Sequence, residues 1–175
     1  MWGIRFTRKH WILFSALPVI LALDQGTKVA VEYAVPLYRS IPVIHGFLSI
    51  THARNTGAAF GLFAGDTSLV RTVFFIGITI GAMILILFVF RKIRGNRILV
   101  PLSLAMITAG AVGNLVDRIR WGYVIDFLDF YWHGYHWPAF NIADSAITVG
   151  VFLLLIENLF LHKRERESGE RDQTA

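Results

Sequence analysis

The sequence predicts an α-helical polytopic membrane protein, with four spans and a small β-rich cap at one end of them. Three observations carry this reading. The 175 residues are 55% hydrophobic and their mean hydropathy is +0.55, well above what a soluble domain shows. Charged residues make up only 17% and gather in a few places. Four stretches are long and apolar enough to cross a bilayer core, which takes about 20 residues.

The first stretch, 11–33, follows a basic leader and is interrupted by Asp24 and Lys28. A charged pair stands where a signal peptide would carry a small-residue cleavage site, so this is a retained span. The second, 68–90, reads SLVRTVFFIGITIGAMILILFVF and is the cleanest. The third and fourth cover 98–117 and 142–161. Between the first and second, the segment GFLSITHARNTGAAFGLFAG alternates in part and carries glycines, which predicts short strands with turns. After the third span, WGYVIDFLDFYWHGYHWPAF is dense in Trp and Tyr, residues of the membrane–water boundary. Segments 34–67 and 118–141 thus form the cap. The charged stretch 163–175 is predicted to be disordered. The whole chain, 1–175, is one membrane domain without an internal repeat.

Basic residues set the orientation. Arg5, Arg8 and Lys9 precede the first span. Arg91, Lys92, Arg94 and Arg97 fill the second connection, and Lys163, Arg164 and Arg166 follow the fourth span. The positive-inside bias makes these three segments cytoplasmic and turns the cap outward. The formal charge of +5 is thereby explained by topology, and no nucleic-acid partner is expected. There is no cysteine, which excludes thiol nucleophiles, thiolate metal sites and disulfides.

Polar residues collect at one depth. Asp24 lies about 20 Å along the first helix, in the outer half of the core, and Lys28 shares its face. Asn114, Asp117 and Arg118 share a face at the outer end of the third span. Asn141 and Asp144 open the fourth, and Asp126 follows the third by fewer than ten residues. Ionisable groups at such depth are functional candidates by default. Structural roles compete. Asn141 and Asp144 fit a variant of the capping box, Asp24 and Lys28 a neutralised pair. Asp117, at a helix C-terminus, needs a cation from Lys28, Arg118 or Arg120. Asp129 reads as a solvated loop acid, whereas Asp126 stands among Val124, Ile125 and Phe127. Two carboxylates that share one proton can activate water and polarise a peptide carbonyl. That chemistry is peptide hydrolysis at a membrane surface.

The blocks DQGTK at 24–28, NTGAAFG at 55–61, GNLVDR at 113–118, VIDF at 124–127 and NIADSAI at 141–147 resemble, in type, order and spacing, the signature of bacterial lipoprotein signal peptidase, or signal peptidase II. The resemblance covers about residues 10–162. It implies four helices with a small extracytoplasmic β-cradle and a short surface helix in the bacterial inner membrane. It implies an aspartyl endopeptidase that cuts diacylglyceryl-modified prolipoproteins just before the lipidated cysteine. Asp126 and Asp144 would be the catalytic pair, supported by Asp24, Lys28, Asn55, Gly57, Asn114, Asp117, Arg118, Asn141 and Ala143. Membrane lipids and globomycin-type inhibitors would be its other partners, with no cofactor or metal. A monomer is expected, since one chain carries both aspartates. Two other readings compete. A small proton-coupled four-span transporter would use Asp24 or Asp144. A zinc enzyme would use His133 and His136, with His45 and His52 also facing outward, but the chain has no His-Glu-x-x-His motif.

Overall fold

The computed structural model describes residues 6–57, 68–93 and 97–173. Four helices carry the fold: α1 (Arg8–Ala34), α2 (Ser68–Lys92), α3 (Leu99–Trp121) and α4 (Ile142–Gln173). Each contains a stretch long and apolar enough to span a membrane. Among the described residues there are also four strands: β1 (Ser40–Ile44), β2 (Leu48–Asn55), β3 (Val124–Trp132) and β4 (Tyr135–His136). They form one antiparallel sheet in the order β1-β2-β3-β4.

Helix α3 is the hub and packs on α4, α1 and α2. Its packing face is built from small residues. Ala105 and Ala109 are fully buried. A Cβ on Gly110 would run into the Ala143 carbonyl, and one on Gly113 into the Asp24 carboxylate. Small residues let helix backbones approach closely in lipid, where packing rather than hydrophobic burial drives association. The outer faces are the reverse: Phe14, Val19, Ile84, Leu85, Phe88 and Phe152 are all exposed, as lipid contact requires.

Helix α3 ends at Gly122, whose φ of 76° is left-handed and whose N–H donates to the Arg118 carbonyl. Glycine suits that position because it has no Cβ to clash. The turn sends the chain directly into β3. Strand β3 pairs with β2 so that Ala53 faces Asp126 and Asn55 faces Val124. Val31, Val35, Ile125 and Phe127 bury together beneath the sheet, packed by Ile142. This small core fixes β3 against the end of α1 and the start of α4. Trp132, Tyr135 and Trp137 stay exposed on the cap.

The structure departs from the sequence expectations in three places. Helix α4 runs on to Gln173, into the stretch predicted to be disordered. Lys, Arg and Glu are good helix formers and continue the helix. The expected short surface helix is absent among the described residues; the part of the cap at 58–67 lies outside them, and with it positions 58–61 of the NTGAAFG block. Asp129 is not solvated: it is buried and accepts from His136 Nδ1 at 2.8 and 3.0 Å. The β3–β4 turn brings that histidine back over it, a tertiary contact invisible in local sequence.

Candidate active site

Five elements converge where the sheet meets the helix ends. Asp126 comes from β3, Asp144 and Asn141 from the start of α4, and Asn114 and Asp117 from α3. Asp24 and Lys28 come from α1, and Asn55 from the end of β2. Every one of these residues joins a single hydrogen-bond network.

Asp126 is 3% exposed. Its Oδ1 accepts from Asn141 Nδ2 at 2.7 Å and its Oδ2 from Asn55 Nδ2 at 2.9 Å. Burial pushes its pKa up from 3.8 to about 6; the Asn55 hydrogen bond pulls the other way, and the nearby charge of Asp144 raises it further. Hydrogen bonds to an ionised carboxylate favour it, whereas desolvation and a like charge disfavour it. Here the disfavouring causes win.

Asp144 accepts from Asn114 Nδ2 at 2.7 Å through Oδ1. It also completes a capping box: its N–H donates to Asn141 Oδ1 at 2.9 Å, and the Asn141 N–H donates to its Oδ2 at 3.4 Å. The structural role and membership of the carboxylate pair therefore coexist. Asn141 is fully buried and touches both sides, since its amide also lies 3.3 Å from Asn114 Oδ1. The two carboxylates are thus linked by the amides of Asn141 and Asn114.

Beneath this pair lies a charged base. Lys28 Nζ is 2.9 Å from Asp24 Oδ2 and 2.9 Å from Asp117 Oδ2, and donates to Asn114 Oδ1 at 3.0 Å. All three charged side chains are nearly inaccessible. Lys28 is the cation that Asp117 requires, and Asp24 is more than a partner for Lys28. Its Oδ1 accepts from the Ala143 N–H at 2.9 Å, which places a carboxylate on the N-terminus of α4, where the helix dipole favours it. Asp117 also accepts from the Ile125 N–H at 3.3 Å and so anchors β3 beside Asp126.

Arg118 faces Asp144, Asp126 and Asp117 within electrostatic reach. Its guanidinium stacks on the Phe75 ring at 4.8 Å and its Nη1 reaches the Asn114 carbonyl at 3.5 Å. Gly57 holds φ of 81° and donates its N–H to Asn55 Oδ1 at 2.8 Å. A Cβ there would enter the Phe75 ring. Glycine is required twice over, by conformation and by space.

Sequence reasoning missed two members. Gln25 Nε2 donates to Asp117 Oδ1 at 2.9 Å, to Asp24 Oδ2 at 3.1 Å and to the Gly113 carbonyl at 3.2 Å. Its place inside DQGTK was the available signal, but its partners lie on another helix. Phe75, one apolar residue among many in α2, carries no signal at all. The histidines do not gather. His136 is engaged by Asp129, and buried His52 meets the Val35 carbonyl through Nδ1 at 2.9 Å. No group of three or more His, Cys, Asp or Glu suited to a metal occurs among the described residues.

A bundle of membrane-spanning helices with a buried carboxylate pair at the foot of a small sheet defines a class, the membrane-embedded enzymes. A bacterial membrane enzyme structure solved in meso at 1.9 Å has the same fold: TM-score 0.76 and 36% identity, over 84% of this chain and 92% of that one. The family model for signal peptidase (SPase) II matches residues 16–160. The lipoprotein signal peptidase of Geobacter sulfurreducens is 52% identical over 83% of this chain and 89% of its own length. That of Desulforapulum autotrophicum is 49% identical over 81% and 88%. The chain belongs to the signal peptidase II family, and it is therefore a peptidase of lipoprotein signal peptides. The transporter reading falls with that membership.

Proposed function

We propose that this chain is an aspartyl endopeptidase whose catalytic pair is Asp126 and Asp144. The observation that carries the proposal is the linked pair itself: two carboxylates on separate elements, tied by Asn141 and Asn114, one of them with its pKa raised to about 6 by burial. In this mechanism the pair shares one proton. The ionised member takes a proton from water, and the neutral member donates a hydrogen bond to the scissile carbonyl. The water oxygen adds to that carbonyl. The shared proton then passes to the leaving nitrogen, and the peptide bond breaks.

The supporting residues position this pair. Asn55 and Asn114 each direct one carboxylate, and their amides are engaged there rather than free for substrate backbone. Arg118 stabilises the negative charge that develops on the carbonyl oxygen. Asp24, Lys28, Asp117 and Ala143 hold the start of α4 and β3 in register. Gly57 lets the chain turn so that Asn55 reaches Asp126.

The substrate is a diacylglyceryl-modified prolipoprotein, cut just before its lipidated cysteine. Its signal helix and acyl chains both lie in the bilayer, so a site at the helix ends meets them at the right depth. The basic clusters support an orientation in a bacterial inner membrane with both termini on the cytoplasmic side and the carboxylates near the outer face. The enzyme acts as a monomer and is inhibited by globomycin. A gel-shift assay with a lipidated prolipoprotein and purified protein tests this. Asp126→Asn and Asp144→Asn should each slow cleavage by about 100-fold or more. Undiminished turnover in either variant overturns the assignment.

A further inference from the structure

A second feature lies at the opposite end of the bundle from the carboxylates. An apolar cavity of about 370 Å³ opens between α1, α2 and α3, lined by Leu13, Leu17, Met83, Leu87, Phe90 and Leu104 among others. Its size falls within the range of small-ligand sites. A second cavity, of about 230 Å³, is lined by Lys92, Ile93, Arg97 and Val100. The two adjoin. Lys92 closes α2 within a turn of Phe90, Ile93 follows it directly, and Val100 sits one turn before Leu104 along α3, so each helix contributes to both. Lys9 Nζ marks the junction, donating to the Phe90 and Ile93 carbonyls at 3.0 Å each. That contact joins α1 to the last turn of α2.

Among the described residues this end is mainly basic, and the one acid near it, Glu157, lines a neighbouring groove with Val100. Among the described residues no carboxylate pairs with Lys92 or Arg97. Both side chains are exposed. Lys92 Nζ lies over the Phe88 ring at 4.5 Å, and an apolar slot at membrane depth, ending in two cations without an ion pair among the described residues, matches one kind of occupant. We propose that it holds an anionic phospholipid, with one acyl chain between α1, α2 and α3 and its phosphate between Lys92 and Arg97. Basic pockets between membrane helices bind anionic headgroups by this chemistry. The acyl chains of the proposed substrate fit less well. They carry no phosphate and enter beside the carboxylates, whereas Leu17 is already about 10 Å below Asp24 along α1.

Native mass spectrometry of the delipidated full chain tests the proposal. The chain is offered equal amounts of phosphatidylglycerol, phosphatidylcholine and diacylglycerol with matched acyl chains. Wild type should retain one phosphatidylglycerol in roughly tenfold preference over phosphatidylcholine. The double variant Lys92→Gln/Arg97→Gln should lose that preference. Leu17→Trp, which fills the slot, should release phosphatidylglycerol while leaving both cations in place. Equal retention of the two phospholipids by wild type overturns the site, and that arm needs no variant to fold. Diacylglycerol retained as well as phosphatidylglycerol, or a double variant with unchanged preference, overturns it too.

Discussion

Two aspartates three residues apart, Asp126 and Asp129, are both buried, yet their surroundings differ. Asp126 accepts from the amides of Asn141 and Asn55 and feels the charge of Asp144; Asp129 is clasped by His136. Cleavage assays should therefore separate them. Asp126→Asn should lose activity, whereas Asp129→Asn should keep most of it and lose about 1 kcal/mol of stability with its hydrogen bonds. Equal losses in the two variants would reject Asp126. The raised pKa of Asp126 also has a thermodynamic sign. The folded state binds its proton more tightly than the unfolded chain does. Its contribution to stability is complete below about 3.8 and is lost as pH rises through about 6. Thermal unfolding in detergent should show wild type losing on the order of 3 kcal/mol from this source between acidic and mildly alkaline pH. Asp126→Asn should remove that slope, and a slope unchanged in the variant would contradict the burial argument.

The start of α4 is the element on which the site turns. Asn141 caps it, Asp24 accepts from its second N–H, and Asp144 closes the box while offering its other oxygen to Asn114. The end of β2 is the second such element. There the chain bends at Gly57 so that Asn55 reaches Asp126. Gly57→Ala places a Cβ against Phe75 in a backbone region that costs an L-residue about 1–2 kcal/mol. Cleavage should fall by roughly tenfold or more, because small misplacements of a catalytic group are costly. Far-UV circular dichroism should stay unchanged. A fully active Gly57→Ala variant would show that Asn55 does not position Asp126.

Much of this assembly was legible in the chain, because helix periodicity puts Asp24 with Lys28, and Asn114 with Asp117, on single faces. The hydropathy pattern likewise marks four helices. The illegible parts are contacts between elements. Gln25 works through α3, Phe75 through Arg118, and Asp129 is engaged by a histidine seven residues on. Only Gln25 carried a local signal, its place inside DQGTK. The fold as a whole depends on one cation shared by two acids. Lys28→Met would leave Asp24 and Asp117 without it, a loss on the order of 3–5 kcal/mol for a broken buried pair. Thermal unfolding should register it as a marked drop, and a variant as stable as wild type would show that the base of the site is not electrostatic. What α1, α3, β3 and α4 jointly build is a linked pair of carboxylates; on the proposed mechanism they hold one proton, and the pH dependence of cleavage reads it. The rate should follow a bell, inactive when both acids are protonated and again when both are ionised. The alkaline limb of kcat/KM should lie near the Asp126 value of about 6, and that of kcat should lie higher, because bound substrate excludes water from the pair. A profile that rises steadily or stays flat across both limbs would contradict a shared proton.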